Sequence, residues 1–200
     1  MKNSSNNLLT LLALSLTVLS IPITSYAQNE GNPLSVAVDN TLNNFVSFGP
    51  GRFFSQPVTV NVGSSALQSG NISDNESTAL QVLVRGGDRV QFDLRTSTEP
   101  EFDELILVLF DLQQNVLDTP FFFSGFVDWR TESYTIPGDG QQFVLAWVYQ
   151  KDFSLSGGRD AVWVDNVRIT RNGVEVDASQ RTITDAPWLP PVINLLLEDQ

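Results

Sequence analysis

The chain has 200 residues, with 23 acidic and 11 basic side chains, neither histidine nor cysteine, and a formal net charge of −12. Without cysteine it can form neither a disulfide nor a thiolate nucleophile, and without histidine it has neither a Ser-His-Asp triad nor a histidine-ligated zinc site. The negative charge also disfavours nucleic acid and anionic membranes as partners, because both are negatively charged themselves.

Residues 1–27 have the pattern of a bacterial-type signal peptide. A basic residue, Lys2, precedes an apolar run from Leu8 to Ile23, and the segment ends at Ala27, with small residues where signal peptidase cleaves. The alternative is an uncleaved N-terminal anchor, but the run is shorter than the ~20 residues that a membrane-spanning helix needs. We therefore expect a secreted, periplasmic or cell-surface protein with no membrane span after cleavage, in which residues 28–33 form a linker.

Residues 34–180 form the predicted domain, and β-strand patterns dominate it. Val90, Phe92 and Leu94 alternate with polar residues, which is the period-two signature of a half-buried strand. The segment from Leu105 to Phe110 is continuously apolar, as expected of a strand covered on both faces. Further strands are predicted at residues 35–38, 45–48, 58–62, 78–85, 129–136, 143–149 and 161–170.

Turn residues separate these strands. Gly86-Gly87 and the segment from Pro137 to Gly140 stand between predicted strands, and Asn172-Gly173 is the strongest short hairpin signal. No helical periodicity is evident between residues 31 and 180. Many short strands with regular turns predict one all-β domain, built as an antiparallel sandwich or a barrel.

Residues 181–200 differ from the predicted domain and are assigned to a C-terminal tail. Ala186 to Pro191 contains three prolines, which interrupt any strand, and Val192 to Leu197 is a short apolar run that ends in acids. This run is too short to cross a bilayer. We expect one or two helical turns docked on the domain, and the alternative is an exposed peptide that binds a partner.

Several segments resemble a known family. AVDNTL (37–42), the run from 65 to 94, the long run from 126 to 152, and SGGRDAVWVDNV (156–167) occur in the order found in a jelly-roll module of bacterial secreted and surface proteins. That module is similar to MAM-like and laminin-G-like sandwiches, and the resemblance covers residues 34 to 169. It implies an antiparallel β-sandwich of jelly-roll type and export from the cell, and it implies no particular reaction.

Asp165 is the first candidate for a functional side chain. Strict alternation along its strand places it on one face with four apolar residues, so its carboxylate is expected near the core. A buried carboxylate requires a cation or several hydrogen-bond donors. Sandwiches that the chain resembles can hold a structural calcium between their first and last strands, which implies a site at Asp39, Asp160 and Asp165. The alternative partners are backbone N–H groups or Arg159.

Aromatic residues near predicted loops are the second candidate. Trp147 and Trp163 are expected in the core, whereas Tyr149, Asp152 and Phe153 form the predicted ligand-binding site at strand-end loops. The function predicted from these features is that of a secreted, non-catalytic module that binds a glycan or another cell-surface component. The competing function is a protein-interaction or extracellular-matrix role, through the apolar segment 121–123, which is predicted near a loop, or through the C-terminal tail.

A carboxylate-based glycoside hydrolase is a minor alternative. Glu99, Glu101, Asp103, Glu104 and Glu132 are acids that could serve such a reaction. It also needs a cleft that raises the pKa of one acid, and no residue pattern indicates such a cleft. The sequence therefore predicts no catalytic residues, and the protein is not expected to be an enzyme.

Overall fold

The computed structural model describes residues 32–177, which form two antiparallel β-sheets packed face to face. The predicted signal peptide and C-terminal tail lie outside these residues. In chain order the elements are α1 (Pro33–Ala37), β1 (Val46–Phe48), β2 (Phe54–Gln56), β3 (Ala66–Gln68), β4 (Ser77–Arg85), β5 (Arg89–Ser97), β6 (Glu104–Phe110), β7 (Val116–Ser124), β8 (Phe126–Thr135), β9 (Gln142–Gln150), β10 (Ala161–Arg171) and β11 (Val174–Glu175). No helix in this part of the chain is long and apolar enough to cross a membrane.

The strand order is that of a jelly roll. Sheet A has the order β1-β4-β9-β6-β7, and sheet B has the order β2-β3-β10-β5-β8, with β11 paired to β10. From β3 to β10 the chain winds back on itself, so that the first of these strands lies beside the last in sheet B. In the same way β4 lies beside β9 in sheet A. The predicted antiparallel β-sandwich is thus confirmed.

The main core fills the space between the two sheets. Alternate residues of β5 (Val90, Phe92 and Leu94) point into it, as their pattern predicts. The ring of Trp147 meets that of Phe92 edge-on, with 5.2 Å between centroids and an interplanar angle of 85°. Large buried rings of this kind each remove a large apolar area from water and so help to hold the sheets together.

Sheet A also carries apolar side chains on its outer face. In β6 the odd-numbered residues from Leu105 to Leu109 belong to the main core, whereas Ile106, Val108 and Phe110 form a second cluster with residues of β4 and β9. All six are buried. This confirms the prediction that the continuously apolar strand is covered on both faces.

The predicted strand at residues 35–38 is wrong, because this segment is helix α1. Asn32 caps the helix by accepting a hydrogen bond from the backbone N–H of Leu34 at 3.0 Å. Pro33 follows at the start of the helix, where its fixed φ angle fits and its missing N–H costs nothing. The Asn-Pro pair therefore outweighs the β-branched residues that follow it.

The predicted strand at residues 58–62 is also wrong. The Gln56 side chain closes a turn there, with its oxygen accepting from the N–H groups of Val58 and Thr59, each at 2.8 Å. Its nitrogen donates to the carbonyl of Thr59 at 2.7 Å. These bonds hold the backbone in a turn between two short strands, β2 and β3, that flank the predicted one.

The segment 121–123 lies in an edge strand and not in a loop. Phe121 and Phe123 pack against the main core, while Phe122 points outward and is 54% exposed. The pairing of β7 with β6 shifts register between Leu107 and Leu109, opposite the part of β7 that contains Pro120. Because side chains alternate along the strand, two of the three rings face the core and the third, Phe122, is exposed to solvent.

Four connections meet at one end of the sandwich, which we call the loop end. It comprises residues 69–76, 98–103, Gly125 and 151–160. The register fixes this arrangement, because Ser97 pairs with both Phe126 and Ala161, and Gln150 pairs with both Ser77 and Glu104. Loops held on paired strand ends in this way are where binding sites commonly form.

Candidate functional site

Asp165 lies on the outer face of sheet B and not in the core. The strict alternation predicted for its strand is wrong, because it breaks just after this residue. Val162 and Val164 face the core, but so do Val167 and Ile169. The pairing of β10 with β5 shifts register between residues 165 and 168, and Asn166 has a positive φ of 47°. This β-bulge inserts one residue and reverses the facing of the strand beyond it.

The Asp165 carboxylate is fully buried under the loop that follows β2. One of its oxygens accepts hydrogen bonds from the backbone N–H groups of Asn61 at 2.9 Å and Val62 at 3.0 Å, and the other accepts from Asn166 at 2.7 Å. Burial raises the pKa of Asp165, and these N–H bonds lower it. Backbone donors, one of the two alternatives left open for this acid, are therefore its partners in the structure.

Two of the three predicted calcium ligands interact with each other. The charge of Asp39 raises the pKa of Asp165, while the pKa of Asp39 itself is raised by burial and lowered by Arg168. The third predicted ligand, Asp160, comes just before the first residue of β10. It is five residues from Asp165, a span of roughly 16 Å in an extended chain. Its carboxylate bonds to Tyr149 and Lys151 instead. The predicted set of three is therefore not assembled, and calcium at Asp39 and Asp165 stays a prediction.

Tyr149, one of the predicted ligand-binding residues, lies in the core. Its ring is fully buried, and its hydroxyl donates to the Asp160 carboxylate at 2.7 Å. Burial, followed by the bond to Asp160, raises the pKa of Tyr149. The ring cannot touch a ligand from this position, because alternation along β9 turns it inward with Trp147 and Leu145.

A buried cation stands next to Tyr149. The Lys151 ammonium donates to Ser156 Oγ at 2.5 Å and to Asp160 at 2.7 Å, and Asp74 lies 3.9 Å away. Lys151 is 2% exposed. A buried ammonium is tolerated only when charged and polar partners surround it, so this network ties the two ends of the β9–β10 loop together.

Asp152 and Phe153, the other two predicted ligand-binding residues, are accessible on the loop end. The Asp152 carbonyl accepts from Asn75 N–H at 2.7 Å, and its carboxylate accepts from Ser154 N–H at 2.9 Å. These bonds hold the backbone on both sides of Phe153. The Phe153 ring projects into solvent from an anchored segment.

Exposed apolar side chains gather on the same end. Phe102, Phe126, Phe153 and Leu155 are 53%, 72%, 76% and 72% exposed. Phe102 and Phe126 were not among the predicted binding residues. The sequence does contain local signs that both rings are exposed, since Phe126 follows Gly125 in a tight turn and Phe102 stands between two acids. Only the fold shows that they lie at the same end of the sandwich.

Three carboxylates from two of these loops also come together. The ligand oxygens of Glu99, Asp103 and Asp152 all lie within 4.8 Å of one another. Burial raises the pKa of Asp103, and the neighbouring charges of Asp160 and Glu99 also raise it, while the N–H of Asp152 and the charge of Lys151 lower it. From the sequence, Glu99 and Asp103 were considered among the acids of a glycoside hydrolase, but it was not predicted that they lie close to Asp152.

Trp163 is buried, as predicted, but outside the main core. Because of its position before the bulge it lies on the outer face of sheet B, where its indole N–H donates to the Gln68 side chain at 3.0 Å. The guanidinium groups of Arg95 and Arg159 lie 5.9 Å and 5.2 Å from its ring centroid. Trp163 is thus packed between cations and is closed to a ligand.

No protein-family model and no curated protein matches this sequence. Among solved structures it is similar to the enzymatically active domain of bacteriophage CBA120 tailspike protein 4 (TM-score 0.46, 11% identity, 71% of this chain and 21% of that one). It is also similar to TmCBM61 in complex with beta-1,4-galactotriose (0.48, 14%, 72% and 98%). A third is the C-terminal family 22 carbohydrate binding module of Clostridium thermocellum Xyn10B (0.44, 16%, 66% and 87%).

These likenesses have a limited meaning. This chain spans only about a fifth of the tailspike structure. All three identities lie below 25% and all three TM-scores below 0.5, so they assign neither a family nor a ligand to this chain. The MAM-like and laminin-G-like resemblance of the sequence therefore stays a prediction, and the β-sandwich itself is what is shown.

Proposed function

We propose that this protein is a non-catalytic binding domain that recognises a glycan with its loop end. The observation that carries the proposal is the exposure of three phenylalanine rings, Phe102, Phe126 and Phe153, which come from three different chain segments at the loop end of the sandwich. Exposed rings at the ends of well-paired strands have a large unfavourable contact with water, which a ligand can remove.

The chemistry of this end suits a sugar. The flat faces of pyranose rings are apolar and stack on aromatic side chains, while their hydroxyls donate hydrogen bonds to carboxylates. Both groups stand side by side here, since Phe102 follows Glu101 and Phe153 follows Asp152. The mixture of rings and acids disfavours anionic ligands and suits neutral ones.

We place the protein outside the cytoplasm and treat it as a member of the jelly-roll module family that its sequence resembles. The signal-peptide pattern of residues 1–27 supports export, and without cysteine the exported fold does not depend on disulfides. Two of the five acids considered for catalysis are poorly placed. Asp103 is fully buried, and Glu132 is paired with Arg130 on β8.

Polysaccharide binding tests the proposal. The full chain is incubated with a panel of insoluble polysaccharides, and retention is compared for the wild type and the double variant Phe126→Ala/Phe153→Ala. Each lost ring contact is worth about 1 kcal/mol, so the double variant should bind roughly 10- to 100-fold more weakly. Leu117→Ala is the matched control, because Leu117 is an exposed apolar residue on β7, towards the opposite end of that strand.

Three results would count against glycan binding at this end. Equal retention of the wild type and the double variant would remove the rings from the site. A loss of retention in Leu117→Ala as large as in the double variant would mean that general surface hydrophobicity causes binding. A wild type that binds none of the polysaccharides would favour the second candidate function.

That second candidate is protein interaction, and the exposed edge strand β7 favours it. Leu117 and Phe122 both project from this strand into solvent. Apolar side chains on an edge strand are a frequent contact for another protein. A mass measured by light scattering above that of one chain, reduced to one chain in Leu117→Ser/Phe122→Ser, would support this role.

A further inference from the structure

Hydrogen bonds from backbone N–H groups bring the acidic side chains of Glu99, Asp103 and Asp152 together, although their charges repel one another. Asp103 N–H donates to the Glu99 carbonyl at 3.3 Å, which folds the β5–β6 loop so that the two acids meet. Asp152 N–H donates to the Asp103 carboxylate at 3.2 Å and brings in the β9–β10 loop. Thr98 closes the turn by donating to the Asp103 carbonyl at 2.8 Å.

Two carboxylate oxygens of this cluster are buried and have no hydrogen-bond partner in the described part of the chain. The second carboxylate oxygen of Asp103, a fully buried residue, has no hydrogen-bond partner among the described residues, and neither does one buried oxygen of Glu99. A carboxylate oxygen removed from water and left without a donor or cation is strongly disfavoured. Both of these oxygens belong to the same group of three acids, whose ligand oxygens lie within 4.8 Å.

The nearby ammonium does not satisfy these oxygens. Lys151 lowers the pKa of Asp103 only through space, because its hydrogen bonds run to Ser156 and Asp160. Lys151 therefore faces several carboxylates in this part of the loop end. A positive charge closer to Asp103 and Glu99 would remove the imbalance.

We propose that Glu99, Asp103 and Asp152 bind a divalent cation, and that this cation is calcium. All the candidate ligands are oxygens, which excludes the nitrogen- and sulfur-rich sites that zinc and copper prefer. Ligands that come from two loops can be completed by backbone carbonyls and water, which suits the six to eight oxygens of calcium better than the strict octahedron of magnesium. This site is separate from Asp165, which lies on the outer face of sheet B, and from Asp39, whose charge acts on Asp165.

The competing occupant is a proton. Asp103 could instead stay neutral and donate to Glu99, as one of two carboxyls that share a hydrogen. The two occupants differ in a measurable way. A proton leaves the protein indifferent to calcium, whereas a calcium ion held by the folded state alone raises its melting temperature.

Thermal unfolding of the full chain in EDTA and in excess calcium tests the site. With calcium at about a hundredfold over its dissociation constant, the melting temperature of the wild type should rise by roughly 5–10 °C. The rise should disappear in Asp103→Asn, which keeps the shape of the side chain and its bond to Asp152. Glu99→Gln and Asp152→Asn should lose most of it, and they report on the site if Asp103→Asn fails to fold.

Two further variants make the result specific. Asp139→Asn removes an acid from the β8–β9 turn at the opposite end and should keep the full rise. Asp165→Asn should keep it too, because Asp165 lies outside the cluster. The proposal is overturned if the wild type melts at the same temperature in EDTA and calcium, or if the rise persists in Asp103→Asn and Glu99→Gln. Loss of the rise in Asp165→Asn alone would place the calcium at Asp165 instead. The readout needs no glycan, so it is independent of the proposed function.

Discussion

Asp165 and Asp93 lie directly opposite each other across β10 and β5, and Asn61 bonds to both. The Asn61 backbone N–H donates to Asp165 at 2.9 Å, and its side-chain amide donates to Asp93 at 2.8 Å. Like charges opposite each other in a sheet are destabilising, so this pair depends on donors from the loop above it. The loop after β2 is therefore held to sheet B by two acids that would otherwise repel.

Removal of one acid tests how strongly this loop is held. Asp165→Ala leaves the N–H groups of Asn61, Val62 and Asn166 without their acceptor, and we expect it to lower the free energy of unfolding by about 2 kcal/mol. Urea denaturation measures the loss, and hydrogen exchange should show faster exchange at Asn61 and Val62. Asp128→Ala, at an exposed acid of β8, should change stability by less than about 0.5 kcal/mol. Unchanged exchange at both amides would contradict this role.

The buried ammonium of Lys151 should behave as part of a network. Lys151→Met leaves Asp160 without its cation, and we expect a loss of about 3 kcal/mol in unfolding free energy. Adding Asp160→Asn to it should recover part of this loss, because the unpaired charge is then gone. A double-mutant cycle by urea denaturation measures the coupling. If the two losses simply add, the two groups act independently.

Stability should fall as pH rises from acid towards neutral when divalent cations are absent. Burial raises the pKa of Glu104 and of Asp165, so the folded state holds these protons more tightly than the unfolded state does. Their contribution is complete below the unfolded pKa, about 4, and is lost as pH rises through the higher folded pKa. Glu104→Gln should raise the unfolding free energy at about pH 7.5 and leave it unchanged well below about pH 4.

Chelator-treated protein and urea denaturation at several pH values check this prediction. Glu101→Gln is the control, because Glu101 is an exposed acid three residues away. The same pH dependence in the wild type and in Glu104→Gln would rule out Glu104 as a source of the effect.

Gly157 sets how closely the β5–β6 and β9–β10 loops approach. A Cβ atom at this position would lie 2.6 Å from the Cα and 2.8 Å from the backbone nitrogen of Glu99. Because backbone atoms cannot rotate away, Gly157→Ala should cost about 1–3 kcal/mol and reduce the rise in melting temperature with calcium. Gly140→Ala, with open space around its Cβ and a φ of 77°, should cost about 1 kcal/mol from backbone strain alone and leave the calcium effect intact. Equal effects of the two substitutions on the calcium response would contradict this prediction.

The parts of the fold that sequence reasoning predicted correctly are the long central strands. Alternation placed Val90, Phe92 and Leu94 correctly, and β4 pairs with β9 without a break in register, so local periodicity and final position agree. The errors have local causes. A capped Asn-Pro start made a helix of residues 33–37, and one inserted residue at Asn166 reversed the facing of half of β10.

The site was harder to predict, because its residues are distant in sequence. Asp152 and Phe153 were correctly expected on a strand-end loop. Tyr149 was predicted beside them but lies on the core side of β9, since nearness to a loop does not decide which way a strand residue faces. The contact of Asp152 with Asp103 joins loops 49 positions apart, and no spacing along a single chain indicates it.

The edge strand β7 has a consequence for how the molecule behaves at high concentration. Pro120 has no N–H to offer a neighbouring chain, and the register shift beside it bends the strand away from a straight ladder. A second molecule therefore finds no continuous row of backbone groups on which to extend sheet A. Pro120 and the register shift therefore disfavour fibre growth along this edge strand, although its apolar side chains remain exposed.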